Sequence, residues 1–215
     1  IAREIEILMD GGAFADDSPG VLGYCVLCSA GPYRIPNIRS SGKVVYTNHL
    51  RFAAFRGFGN PQINFATESQ IDEIAEKLGM DPIELRLKNA MDVGDAWFGG
   101  QVIESNGLKE CISKVSKASN WDARSTANQS AGVGKCRGLG LAIGGHISGL
   151  LGTGAIVRLL EDGTVALNTG ATDIGQGSDT VLSQMCAEAL QVPLENVSLA
   201  SPDTDGSPFN WGTTA

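Results

Sequence analysis

Three stretches of this 215-residue chain carry residue types whose spacing could do chemistry. The first is Ala54-Phe55-Arg56-Gly57-Phe58-Gly59-Asn60-Pro61-Gln62, in which two glycines bracket an aromatic residue with an arginine beside it. Glycine lets backbone amides approach a ligand closely, a following helix N-terminus favours anions, and an exposed Phe can stack on a planar ring. The same residues also read as a tight turn that leads into a helix with Phe55 and Phe58 in the core, and spacing alone favours that plainer reading.

The second stretch, Gly170 to Thr180, contains Gly175-Gln176-Gly177-Ser178-Asp179 and reads as a strand end, a glycine-rich turn and a helix. Its main-chain N–H groups and the Gln176 amide suit a phosphate or a heterocycle edge, with Ser178 or Asp179 expected to cap the helix. It has neither the Gly-Lys-Ser/Thr of a phosphate-binding loop nor a full dinucleotide fingerprint. The third stretch is the end, Ser201 to Ala215, where Asp203 and Asp205 are spaced as in a calcium loop but no distal glutamate follows. His49 and His146 are too isolated for a hydrolytic triad or a zinc site. Cys25 and Cys28 form a C-x-x-C within an apparent strand, which would point the two thiols to opposite faces and leave them reduced and without metal.

The elements that must position these groups follow from periodicity. Residues 3–9, 21–28 and 44–47 read as strands. From Pro61 to Leu78 an apolar face of Ile63, Ala66, Ile71, Ile74, Ala75 and Leu78 predicts a helix ended by Gly79. Asp81-Pro82-Ile83-Glu84 is a helix start, with Asp81 as cap and Ile83 and Leu87 inward, and residues 107–118 form a further helix. Residues 119–135 are polar and aperiodic, and a subdomain boundary is expected there, dividing 1–125 from 126–215. Beyond it, residues 155–160 and 164–168 flank Glu161-Asp162-Gly163 as a hairpin, with a helix over 182–190 and a strand over 196–200. The fold class expected is α+β.

Composition narrows the function classes. A net charge of -8 repels phosphate backbones and anionic lipid, so nucleic acid and membrane are not expected partners. No run of about 20 apolar residues is present. Five cysteines, an odd number in a chain of this size, fit a reducing cytoplasm.

Taken together and in order, Tyr33-Arg34-Ile35-Pro36-Asn37-Ile38-Arg39, Ala54 to Gln62, Asp81-Pro82, Arg86-Leu87-Lys88-Asn89, Gly170 to Thr180 and Asp203 through Ala215 resemble the molybdopterin-binding subunit of the xanthine dehydrogenase and aldehyde oxidase family. The resemblance implies a mixed α/β molybdopterin-binding fold in two subdomains. It also implies hydroxylation of an N-heterocycle, aromatic compound or aldehyde with water as oxygen source. Electrons would leave through 2Fe-2S clusters to FAD on partner domains or subunits. The cofactor would be molybdenum-molybdopterin, with a cytosine dinucleotide form among its variants.

Residue by residue, the resemblance places Phe55, Arg56 and Gly57 beside the cofactor, Phe58 on an aromatic substrate, and Gly175, Gln176 and Gly177 against the pterin or an oxo group. Thr213, Thr214 and Ala215 match a loop near the metal ligands. Purine-oxidising relatives tend to carry an arginine where this chain has Tyr24, and the partner of Phe58 in the substrate sandwich would fall near Leu150. The family's earlier glycine-rich cofactor loop and its late Gly-Glu segment with the catalytic base have no counterpart here. No catalytic residue is therefore assigned, and the isolated chain is expected to be inactive and free of cofactor without the remainder of its subunit. Two other readings stay open: a non-catalytic cofactor-binding or assembly domain on the same scaffold, and a nucleotide-binding protein using Gly175 to Ser178.

Overall fold

Alternation of side chains along the first strand, β1 (Ala2–Gly12), sends Ile5, Ile7 and Met9 against Cys25, Cys28 and Ile63 and leaves Leu8 at the surface. The computed structural model describes residues 2–14, 16–97, 100–124, 134–135, 137–147 and 152–211. β1 pairs in parallel with β2 (Asn37–Tyr46). A parallel pair needs a crossover, and α1 (Ser18–Cys28) supplies it.

This corrects two expectations. Residues 21–28 are helical, not extended: Pro19 sits in the first turn, and Ser18, Val21, Cys25 and Cys28 recur at spacings of three and four to make the buried face. A short apolar run does not declare its period, and Val21 and Val26 biased the reading toward a strand. β2 is also longer than 44–47 and ends before Thr47. Its polar start carries no apolar alternation and is held by the parallel ladder to β1.

The long helix α2 (Asn60–Leu78) ends in a left-handed Gly79, as its sequence predicts. Its buried face differs, consisting of Ile63, Thr67, Glu68 and Ala75, while Ile74 and Leu78 are exposed. Glu68 lies inward because Arg86 of α3 (Pro82–Asn89) is there to meet it. Arg86 is fully buried; Nε donates to Glu68 Oε2 at 2.9 Å and Nη1 to Asp72 Oδ1 at 2.7 Å. The Tyr33 hydroxyl donates to Glu68 Oε1 at 2.6 Å, and the Ile143 amide to Glu68 Oε2 at 2.9 Å. Burial would lower the Arg86 pKa, but the Asp72 and Glu68 carboxylates outweigh it and raise it. Burial and the Glu68 bond push the Tyr33 hydroxyl up.

Asp81 caps α3 as expected, accepting from the Ile83 and Glu84 amides. Its other oxygen accepts from Trp121 Nε1 at 3.0 Å and Arg124 Nη2 at 2.6 Å, which ties the 3-10 turn Trp121–Ala123 behind α4 (Leu108–Ala118) to the start of α3. Ile83, Ile112, Trp121, Tyr33 and Ile143 close one core around these contacts, with Leu87 packed against it.

The chain divides into two compact units, Ile1–His146 and Ile147–Ala215. The stretch expected to carry a boundary, 119–135, falls largely outside the described residues. In the second unit β3 (Ala155–Leu159) and β4 (Val165–Thr169) form the expected hairpin, with Gly163 at φ +81°, and β4 runs parallel to β5 (Val197–Leu199). α5 (Ser178–Leu190) crosses between β4 and β5 and begins a turn earlier than its apolar residues suggest. Val165, Leu167 and Cys186 form the core of this unit. The five helices and two small sheets described are an α+β arrangement, as expected.

Two outcomes test these packing arguments. Arg86→Met leaves Glu68 buried beside an apolar side chain, and urea denaturation should record a loss of about 3–5 kcal/mol. Burial would raise the Asp81 pKa, but hydrogen bonds from Trp121 and Ile83 and the charge of Arg124 outweigh it and hold it below the ordinary carboxylate value. A depressed pKa contributes stability that is present above about pH 4 and lost as pH falls through the folded value. Asp81→Asn should flatten that acid limb of the unfolding midpoint, and an unchanged slope would show that Asp81 does not carry it.

Candidate functional site

The segment between β2 and α2 is pinned before it reaches its glycines. Asp10 accepts from the Gly12 amide, Thr47 Oγ1 and His49 Nδ1, at 2.8, 2.7 and 2.6 Å, and these bonds hold its pKa down. The Ser18 hydroxyl donates to the Phe52 carbonyl. Residues 54–56 are exposed, and a turn over 56–59, buried at Gly59, then delivers the chain to α2.

Phe55 is 69% exposed, which excludes it from the core and corrects the plainer reading of this turn. Arg56 is exposed as well. Gly57, Phe58 and Gly59 are consecutive left-handed residues with φ of +96°, +48° and +95°. The Phe58 amide donates to Phe55 O at 2.7 Å and the Asn60 amide to Gly57 O at 3.0 Å. A left-handed conformation costs a residue with a Cβ about 1–2 kcal/mol. At Phe58 the packing on both sides imposes it.

Both glycines are required by that packing. A Cβ at Gly57 would lie 2.7 Å from the Pro61 ring, and one at Gly59 would lie 2.4 Å from Val21 O and 2.9 Å from Cys25 Sγ. Gly59 O accepts from the Ile63 amide at 3.2 Å and from the Cys25 thiol at 3.1 Å. The C-x-x-C is thus a helical pair on one buried face, not two residues on opposite faces of a strand. Burial raises the pKa of Cys25, and burial with the neighbouring Cys25 pushes Cys28 up to about 12. Both are free thiols, and among the described residues no group of three His, Cys, Asp or Glu is placed to hold a metal ion.

Phe58 is half-buried. Its ring meets Tyr24 edge-on at 6.1 Å and lies over Gly20, whose Cβ would come within 3.2 Å of it. Tyr24 in turn stacks at a tilt on His146, with centroids 5.1 Å apart. Asn60 Nδ2 donates to Gly145 O at 2.7 Å and lies 3.3 Å from His146 Nδ1. His146, set aside in the sequence as isolated, therefore belongs to this cluster. No sequence signal pairs it with Asn60, since the contact spans 86 residues.

The second loop belongs to the second unit. Gly175 and Gly177 are left-handed at φ +103° and +82°, and Gly177 heads α5 without a side-chain cap. Neither Ser178 nor Asp179 caps the helix as expected, because both already lie within its first turn. Asp173 takes that role from outside the turn, accepting from the amides of Gly175 at 2.7 Å and Asp179 at 3.3 Å. Gln176 folds back on its own loop: Oε1 accepts from the Ile174 amide, and Nε2 donates to Thr172 O and Ser178 Oγ. A Cβ at Gly177 would meet nothing within 4 Å. Near the end, Asp203 accepts from the amides of Asp205 and Gly206 in a local turn. Thr213, Thr214, Ala215 and Leu150 lie outside the described residues.

Two successive family models, both described as molybdopterin cofactor-binding domain, match residues 1–90 and 114–215. The chain belongs to this family. It is similar to the xanthine dehydrogenase molybdenum-binding subunit of Escherichia coli O157:H7, 43% identical over 81% of this chain and 24% of that protein. It is also similar to the aldehyde oxidoreductase of Megalodesulfovibrio gigas, 37% identical over 97% of this chain and 24% of the relative. Among solved structures, the aldehyde oxidoreductase from Desulfovibrio gigas matches with a TM-score of 0.79 at 37% identity, over 95% of this chain and 24% of that one. Quinoline 2-oxidoreductase from Pseudomonas putida 86 matches with a TM-score of 0.80 at 27% identity, over 95% and 28%. The chain thus spans about a quarter of the length of these proteins. No helix among the described residues is long and apolar enough to cross a membrane.

The buried thiol pair gives a direct check. In the native protein iodoacetamide should modify the exposed Cys111 and spare Cys25 and Cys28, as mapped by mass spectrometry of the digested protein. Modification of Cys28 as fast as Cys111 would mean that α1 does not bury it.

Proposed function

We propose that this chain forms part of the large subunit of a molybdenum hydroxylase and that Phe55, Arg56, Gly57, Gly175, Gln176 and Gly177 hold the molybdopterin there, with Thr213, Thr214 and Ala215 extending the same site. When bound, the cofactor supplies two-electron oxidation of a carbon, with water as the oxygen source. The observation that carries the reading is the state of two helix heads. α2 and α5 both start from a left-handed glycine that brings no side chain of its own, and in α5 Asp173 takes the Asp179 amide, whereas α3 is capped by its own N-cap residue, Asp81. Uncapped first-turn amides are donors for an anion or a polar heterocycle edge.

The residues present fit such a group. Gly177 leaves open space where any side chain would stand, and Asp173 and Gln176 shape the loop through bonds to its own backbone. Gln176 presents this loop while its amide stays engaged internally, so its contribution is to position main-chain groups. In the first loop, Arg56 contributes positive charge beside Phe55, and Phe58 offers an aromatic surface held by Tyr24.

The substrate in this reading is an N-heterocycle, an aromatic compound or an aldehyde. Tyr24, in place of an arginine, argues against a purine, because a phenol offers one hydrogen-bonding group where a guanidinium offers five donors. Partners are the remainder of the subunit and 2Fe-2S and FAD domains or subunits that pass electrons on, with a cytosine dinucleotide form of the cofactor within reach of the same donors. A reducing, cytoplasmic setting agrees with the free thiols Cys25, Cys28 and Cys186. The alternative, a scaffold that binds cofactor without turnover, separates from this reading by its lack of activity when loaded.

The test uses the complete subunit with its partners, made in a host that synthesises the cofactor. Wild type should carry near-stoichiometric molybdenum and release a fluorescent pterin on oxidation. Gly177→Val, forced into a left-handed φ, should lose most of both while circular dichroism stays that of the wild type. Wild-type complex without molybdenum, or a folded Gly177→Val variant with full cofactor, would overturn the assignment.

A further inference from the structure

We propose that Tyr24, Phe58 and His146 form one wall of the substrate site, and that Nε2–H of His146 donates the hydrogen bond selecting planar molecules with a carbonyl or ring-nitrogen acceptor. The proposal rests on reading Phe58 as the residue against which the substrate stacks.

The tautomer follows from Asn60. Gly145 O, 2.7 Å from the Asn60 amide nitrogen, can only accept, so the Asn60 side chain must turn its NH2 group this way. The second hydrogen of that NH2 then faces His146 Nδ1 at 3.3 Å, which must offer a lone pair. In the neutral ring the proton is consequently on Nε2, the nitrogen on the far side from Asn60. Asn60 is the first residue of α2, fixed by the bond from its own amide to Gly57 O, so the donor is set by the same turn that presents Phe58.

The plane of the imidazole is set as well. Tyr24 lies against it at 39° with centroids 5.1 Å apart, and Tyr24 and Phe58 meet nearly perpendicular, at 85°. Three rings in series therefore run from the glycine turn through α1 to residue 146. Tyr24 is half-buried and braces the other two, and His146 is exposed and carries a directed donor. A neutral N–H beside an aromatic surface recognises a flat molecule through one face and one acceptor. It discriminates weakly on ring size and strongly on whether an acceptor is present, because an unmatched donor would lose its water on binding.

Equilibrium binding to the complete, partner-bound enzyme reads this out without turnover, by calorimetry with benzamide, a flat carbonyl acceptor, and indole, a flat molecule that only donates. His146→Phe keeps a ring against Tyr24 and removes the N–H, while His146→Gln restores a donor. Benzamide affinity should fall about tenfold in His146→Phe and stay within about threefold of wild type in His146→Gln, and indole affinity should change little in either. Undetectable benzamide binding by wild type, an unchanged affinity in His146→Phe, or equal losses for both probes would overturn the proposal. Molybdenum content measured on the same samples keeps the two readings apart: metal-free enzyme that still shows this selectivity would sink the cofactor assignment alone.

Discussion

The burial of Arg86 is the constraint around which the first unit is arranged. A guanidinium with no exposed surface must have its charge and its N–H groups satisfied internally, or the fold loses several kcal/mol. Glu68 and Asp72 meet the charge, and the Pro82 and Glu68 carbonyls accept two further N–H groups. The geometry of that set fixes α3 against α2. Because Glu68 also accepts from Tyr33 and from the Ile143 amide, the same carboxylate draws in the chain just before β2 and the segment leading to His146.

That placement decides where the glycine turn points. Glu68 lies just over two turns along α2 from Asn60, so clamping it orients the head of the helix. Arg3 adds a second tether, donating to Thr67 Oγ1 and to Ser29 O, which links β1 to α2 and to the end of α1. With α1 and α2 thus locked together, the Cys25 thiol reaches Gly59 O, and Tyr24, one residue earlier, reaches the Phe58 ring. The glycine turn is held by ordinary packing. The strain at Phe58 is tolerable because so much of its surroundings is already fixed.

How much of this could be read in the sequence depends on the range of each interaction. Asp81-Pro82 as a helix start, Gly79 as a helix end and the turn at Gly163 are local, and each appears where residue type alone places it. The error at residues 21–28 is also local: an apolar run with β-branched residues fits either period, and the spacing of Ser18, Val21, Cys25 and Cys28 is the feature that resolves it. Glu68 and Arg86 are a different case. A charged residue on a helix reads as solvated surface unless its partner is known, and the partner here is 18 residues away on another helix. The link from Asn60 to His146 is longer still and has no pattern at all. Motif resemblance singled out Phe58 and, separately, Tyr24, but nothing in the sequence pairs the two rings that meet in the structure.

The glycines illustrate why a motif rich in them does not announce its own meaning. Gly57 and Gly59 face Pro61, Val21 and Cys25 at distances no Cβ could occupy, so internal packing accounts for both of them without any ligand. Gly177 has the same left-handed φ and nothing within 4 Å of its absent side chain. Conformation alone requires glycine there, and the open space follows from it. At that helix head the Asp173 carboxylate takes the Gly175 and Asp179 amides, so the loop is shaped by its own polar groups and not by packing against the rest of the unit. The two loops, alike as strings of letters, thus differ in kind: the first is a tightly packed turn that follows the exposed Phe55 and Arg56, and the second is open around Gly177.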